Sequence, residues 1–158
     1  MATFLLKAEP EEFSFADLVR ERRAAWDGVM NPTACLHLRQ ARLGDEALIY
    51  HTGTERAIVG LARIVSDPYA DPVHGEARTG AGELKYPVVD VEPIAPVKTP
   101  VTLAQIKGDA RFAEFALVKQ SRLGVMPVPD DLDRVLRALA GLPAPTGAPK
   151  KPVRSRGA

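Results

Sequence analysis

Apolar residues in this chain come in short runs, and proline or glycine closes nearly every one, with 14 prolines and 12 glycines spread through 158 residues. That punctuation leaves no stretch near the ~18 apolar residues needed to span a bilayer. It also breaks the chain into short strands and short helices. Residues 3–7 read as a first strand, stopped at Glu9-Pro10. Ser14, with Asp17 three residues on, has the spacing of a capped helix running to about Arg23. Asn31-Pro32 pairs a good N-cap with proline at the first helical position, which predicts a helix to about Gln40 or Ala41. Gly44-Asp45 turns the chain into a buried-type strand at 47–51, and 58–65 follows as its antiparallel partner. Residues 66–84 show little periodicity, as an irregular and functional loop would, for example a lid. A strand at 88–94 is bracketed by Pro87 and Pro93, which predicts a place near a sheet edge. Short helices are expected at 102–107 and 109–115, and a strand at 123–128. Leu132, Val135, Leu136 and Leu139 fall on one helix face, with Gly141 as the stop. Strands and helices do not alternate regularly, so the expected class is α+β, a small curved sheet or barrel with peripheral short helices, and not a doubly wound parallel sheet.

Charge sharpens the domain plan. The chain carries 21 Lys and Arg against 20 Asp and Glu, which excludes a polybasic protein whose affinity comes mainly from neutralised phosphates. From residue 143 the sequence is rich in Pro, Gly and Ala and cannot bury enough apolar surface to offset its ordering entropy. The expectation is one domain at 1–142 and a disordered basic tail at 143–158. Removing the tail's four basic residues (Lys150, Lys151, Arg154, Arg156) leaves 17 against 20 acidic ones, so the body is near −3. The tail either touches phosphates nonspecifically or is a solubilising extension. One cysteine, Cys35, excludes a disulfide scaffold. With no basic, apolar leader at its start, the chain is expected in a reducing cytosol, or in the nucleus of a eukaryote.

The usual catalytic signatures fail. Gly75 and Gly80 have a P-loop's separation, but Ala81 and Gly82 stand where lysine and a hydroxyl are required. Ser121 lacks the flanking glycines of a nucleophile elbow. The three histidines are too dispersed for a zinc site, and no cofactor is implied. What remains suits recognition. Trp26 is the only tryptophan; it serves either as core or as a stacking plate for a flat ring. Asn31 either caps its helix or pairs a base edge through donor and acceptor. His51 and Thr52 end a strand, where polar tips either face water or line a pocket. Ser121 and Arg122 belong to a polar cluster with Lys119 and Gln120.

Seven segments, taken together, resemble the EVE domain family of the PUA-like superfamily. They are FLLKAEP (4–10), WDGVMN (26–31), GD…IYHT (44–52), AIVGLARI (57–64), DPYADP (67–72), VVDV (88–91) and KQSRLGVMPV (119–128). They occur in family order and span roughly residues 3–140. The resemblance implies a PUA-like β-barrel that binds DNA or RNA carrying a modified base, flipped into an aromatic pocket. On that pattern Trp26 and Asn31 sit at the pocket, His51 and Thr52 form its wall, Ser121 and Arg122 its rim, and Lys7 stands near the end of the first strand. The chain departs from the family's common wording at Phe4, Ala8, Met30, Pro32 and Gly124. Two hydroxyls and a guanidinium are lost at Ala8, Gly124 and Met30, which makes the implied pocket more apolar.

The expected function is therefore a non-enzymatic reader of a modified nucleobase, with nucleic acid as partner. The alternatives are a small-molecule enzyme using His51 as general base beside an Asp, and a protein-interaction adaptor.

Overall fold

The structure, a computed structural model, describes residues 1–145; residues 146–158, most of the expected tail, lie outside the described residues. Strand β1 (Thr3–Ala8) is apolar at every position but Thr3 and Lys7, and runs parallel to β3 (Glu46–His51), with Leu5 opposite Leu48 and Lys7 opposite Tyr50. All six residues of β3 are buried, as expected of a strand flanked on both edges and covered on both faces. Strand β4 (Ala57–Ile64) returns antiparallel to β3, confirming the expected hairpin. Seven strands in all form one mixed sheet in the order β2 (Ala24–Trp26), β6 (Pro87–Thr102), β4, β3, β1, β7 (Val125–Pro127), with β5 (Tyr69–Ala70) added on β6. The sheet curls as a half-barrel with short helices around it, which is the α+β class the sequence predicts.

The curl does not close into a full barrel ladder. Strands β2 and β7 stand at the two ends of the order and do not pair with each other. Helix α2 (Pro32–Arg39) packs against both β7 and β6, so it spans the seam between the sheet's ends. Helix α1 (Phe15–Glu21) carries the expected capping box: the Ser14 side chain accepts from Asp17 N, and the Asp17 carboxylate accepts from Ser14 N. It stops sooner than expected, at Arg22, whose φ of 70° is left-handed. Gly60 in β4 lets this helix sit down. A Cβ there would lie 2.5 Å from the Phe15 ring, so only glycine permits the contact.

Four expectations change. Strand β6 is 16 residues long and lies inside the sheet, paired with β2, β4 and β5. Its prolines are tolerated because Pro87 begins the strand and Pro93 and Pro96 flank register shifts, where ladder bonds are already interrupted. The 66–84 stretch is not a free loop. Tyr69 and Ala70 pair with β6, Asp71 Oδ1 accepts from Val73 N at 2.7 Å, and Arg78 bridges Leu84. The expected helix at 109–115 is a 3-10 turn (Ala110–Phe112) followed by helix α4 (Ala116–Lys119), while α3 (Leu103–Lys107) is capped by Thr102 as predicted. The expected strand at 123–128 shrinks to β7. No helix among the described residues is long and apolar enough to cross a membrane.

Helix α5 (Asp130–Ala140) exists where the periodicity puts it, yet it buries a different face. Leu132 and Leu136 are inside, but Leu139 is 41% exposed, while Asp133 and Arg137 are 2% and 1% exposed. Arg137 donates to Asp133 Oδ1 (2.8 Å), Glu46 Oε1 (2.8 Å) and Thr3 Oγ1 (3.0 Å), and Thr3 Oγ1 donates to Asp133 Oδ2 (2.7 Å). A closed polar network thus ties α5 to β1 and β3.

Candidate nucleic-acid interface

The unpaired seam between β2 and β7 holds a concavity of about 730 Å³, within the range of small-molecule sites. Ala24–Trp26 of β2 form one side, and Gly124 and Val125, the start of β7, form the other. Lys7 and Ala8 at the end of β1, and Asn31 and Ala34 at the start of α2, complete it. Trp26 is held by β-pairing with Val89 and by the edge of Phe13, whose ring centroid lies 6.4 Å away at an interplanar angle of 75°. Only 9% of Trp26 is exposed. The cavity nevertheless opens beside it, and the indole Nε1 is not among the buried polar atoms lacking a partner. The indole is therefore both core and cavity wall, not one or the other.

Gly28, at φ 75°, turns the chain between Trp26 and Asn31. The Cys35 thiol donates to Val29 O at 3.1 Å and fastens that turn to α2. Asn31 Oδ1 accepts from Thr33 N at 2.9 Å and from Ala34 N at 3.0 Å. Its oxygen is thus committed to the helix, and only the Nδ2 donors remain for a ligand. The two-sided pairing of a base edge expected from the carboxamide is not available in this geometry.

Charge around the cavity is mixed. Lys7, Arg23 and Arg122 line it with Glu9, Glu12, Glu21 and Asp27. Burial lowers the Lys7 ammonium from its ordinary value, and Lys7 Nζ donates to Ser121 O at 2.9 Å. Arg23 is paired with Asp90 at 3.1 Å. Arg122 makes no ion pair or hydrogen bond among the described residues, so it is the cation at the mouth with its donors unspent.

Of the seven residues singled out from sequence, Trp26, Asn31, Lys7 and Arg122 line this cavity. Ser121 lies behind Arg122 on smaller concavities, one of about 310 Å³. Thr52 also faces a separate concavity, with its hydroxyl 3.1 Å from Glu9 Oε2. His51 is displaced from the expected wall by a structural task. It is 7% exposed. Its Nε2 accepts from Phe15 N, the first amide of α1, at 3.0 Å, and its Nδ1 lies 2.8 Å from Glu55 Oε1. A nitrogen accepting a backbone N–H must be the unprotonated one, which puts the proton on Nδ1, directed at Glu55. The lone pair a general base would use is occupied, and Asp45 stands at the other end of β3. His51→Ala should therefore lower stability by about 1–3 kcal/mol, the cost of a buried donor left without an acceptor. Urea denaturation reads that loss; oligonucleotide affinity should stay unchanged, and a matching fall in affinity would return His51 to the site.

Sequence reading missed Phe13, Asp27 and the cavity's two-sided frame. Phe13 had a signal, an aromatic just before a capped helix, where it packs across the chain's entry. Among the described residues, no group of three or more His, Cys, Asp or Glu side chains is placed to hold a metal ion.

Compared with known families, residues 2–138 match the EVE domain. The chain belongs to the EVE domain family. Thymocyte nuclear protein 1 of Danio rerio is 30% identical over 152 residues, covering 79% of this chain and 66% of its own length, so the chain spans about two thirds of that relative. Among solved structures, an NMR structure of a Rhodopseudomonas palustris protein superposes with a TM-score of 0.79 at 38% identity, over 89% of this chain and 94% of the other. Human thymocyte nuclear protein 1, crystallised in complex with DNA containing 5-methylcytosine, superposes with a TM-score of 0.78 at 26% identity, over 89% of this chain and 98% of the other. Three of the five EVE-pattern departures, Ala8, Met30 and Gly124, line the cavity of this chain. Phe4 is instead in the core, and Pro32 is the first residue of α2.

Proposed function

We propose that this EVE domain is a non-enzymatic nucleic-acid-binding module that takes one modified base, extruded from its stack, into the cavity beside Trp26. The observation that carries the reading is a solvent-open concavity of about 730 Å³, walled by a half-core indole, in the seam between β2 and β7. The human relative in complex with 5-methylcytosine-containing DNA supports a nucleic-acid partner. A flipped base loses a few kcal/mol of stacking and pairing, which the cavity must offset. Stacking on an aromatic contributes about 1–3 kcal/mol. The Asn31 Nδ2 donors and the Asp27 carboxylate, which makes no hydrogen bond among the described residues, would meet a base edge that offers both an acceptor and an amino group. Ala8 and Gly124 leave room around it: a Cβ built on Gly124 meets nothing within 4 Å. A base enlarged by an apolar substituent suits that space better than an unmodified one.

The test is a panel of oligonucleotides of one sequence differing at a single base: unmodified, 5-methylcytosine, and larger or charged modifications, on DNA and RNA. Tighter binding of one modified member is expected, with a shallow salt dependence near −0.7 per phosphate contact on single strands. Equal affinity across the panel would overturn the reading of a modified base, and binding that vanishes with moderate salt for every member would reduce the protein to a general phosphate binder.

A further inference from the structure

Another concavity, of about 250 Å³, shares Lys7 with the main cavity. Lys7, Arg56 and Lys107 line it; the carboxylate close by is Glu9, whose Oε2 accepts from the Thr52 hydroxyl at 3.1 Å and which is not itself in the lining. Neither the Arg56 nor the Lys107 side chain makes an ion pair or hydrogen bond among the described residues. Lys7 Nζ gives one of its three donors to Ser121 O and sits 5.7 Å from the Tyr50 ring centroid. Three cations around one hollow repel each other, and an anion bound between them would remove that cost.

Tyr50 supplies the independent sign of a ligand. Its side chain is buried, with 3% exposure, and lines the hollow. Its hydroxyl has no hydrogen-bond partner among the described residues. The hydroxyl is not sealed off: it reaches the open space of the hollow, where a ligand or water would meet it. Burial raises the Tyr50 pKa from its ordinary value, which keeps the hydroxyl protonated as a donor. Arg56 adds a structural oddity: its φ is 44°, a left-handed conformation that favours glycine, held by Leu103 N donating to Arg56 O at 2.8 Å. Leu103 and Leu117 give the hollow an apolar side.

We propose that this hollow is an anion site that binds a phosphoryl group, with Arg56, Lys107 and Lys7 as its cations, the Tyr50 hydroxyl as its neutral donor, and the leucines against the organic part. The hollow holds the volume of about eight waters, which leaves room for a phosphoryl group and a small carbon substituent. Two sources share this chemistry, a phosphodiester of a nucleic-acid strand and a free phosphate monoester. The site does not depend on the base-reading proposal.

The test uses the full chain, titrated with inorganic phosphate at constant ionic strength and followed by the amide NMR signals of Tyr50, Arg56 and Lys107. A saturable response is expected, absent with chloride. Arg56→Gly suits a left-handed position and so keeps the fold; it should weaken phosphate about tenfold or more, as loss of a charge-assisted contact does. Tyr50→Phe should weaken it by a smaller factor while leaving the fold in place. No saturable response in the parent protein, or unchanged phosphate affinity in both variants, overturns the proposal. An unmodified oligonucleotide then separates the sources. If Arg56→Gly also weakens the oligonucleotide and flattens its salt slope by about 0.7, one phosphate contact on a single strand, the ligand is the strand's diester. If oligonucleotide binding is unchanged while phosphate binding is lost, the ligand is a free monoester. Trp26→Ala should leave the phosphate titration intact, so failure of the base-reading proposal and failure of this one are distinguishable.

Discussion

Arg137→Met is expected to destabilise the protein by about 3–5 kcal/mol, the range for removing one partner of a buried ion pair. Methionine keeps most of the apolar stem, so the change isolates the guanidinium. Its loss takes the buried cation from two carboxylates at once. Glu46 is 0% exposed and Asp133 2%. Glu46 would keep Arg63, 3.1 Å from Oε2, and Asp133 would keep the Thr3 hydroxyl. Neither substitutes for an internal cation: the Arg63 side chain is 42% exposed, and a hydroxyl carries no net charge. Urea denaturation with an unchanged m-value would read the effect as stability alone. Adding Glu46→Gln and Asp133→Asn to Arg137→Met should return part of the loss, because a neutral amide is cheaper to bury than a carboxylate that has lost its buried cation. A loss under 1 kcal/mol for Arg137→Met would mean that water reaches the network and that α5 is docked by its leucines alone.

The same network marks where sequence reading stopped. Asp133 and Arg137 stand four apart, the spacing of an ordinary surface pair on a helix. Nothing in the sequence distinguishes a pair facing water from one facing Glu46, which is 87 positions away from Asp133. The leucine stripe located the helix and misassigned its inner face by about one position, since Leu139 is exposed where Ala140 is buried. Local chemistry was legible: the Ser14 and Asn31 caps and the Gly141 stop rest on contacts within a few residues, and the 46–64 hairpin on two strands adjacent in the chain. Strand β2 was not, because three residues carry no period. The cavity was legible only in its parts. Its opposite sides, Trp26 and Val125, are joined by the curl of the sheet, and a curl is a property of strand order, which no run of residues states. His51 shows the reverse error. A polar strand end looked like a pocket wall, and the helix amide it serves belongs to a turn 36 residues earlier.

Trp26→Ala is expected to weaken binding of a modified oligonucleotide by about 1–3 kcal/mol, roughly 5- to 150-fold in Kd, and to bring its affinity toward that of the unmodified strand. Two effects must be separated, because the indole is core on one side and cavity wall on the other. Deleting a buried Trp side chain costs about 3–5 kcal/mol of stability, and a partly unfolded sample would mimic lost binding. Affinity is therefore measured well below the variant's own Tm. Phe112→Leu serves as the control, since Phe112 is fully buried outside the cavity lining and its truncation lowers stability without touching a bound base. Trp26→Phe retains a ring over the same space and should lose less affinity than Trp26→Ala while keeping preference for the modified base. If stacking is the physical basis, affinity follows the size of the aromatic surface at position 26, and the modified-to-unmodified ratio falls with it. If Phe112→Leu weakens binding as much as Trp26→Ala does, the loss is unfolding. If Trp26→Ala, folded, still prefers the modified strand, the base is held elsewhere in the cavity, and the indole contributes to the seam only as core.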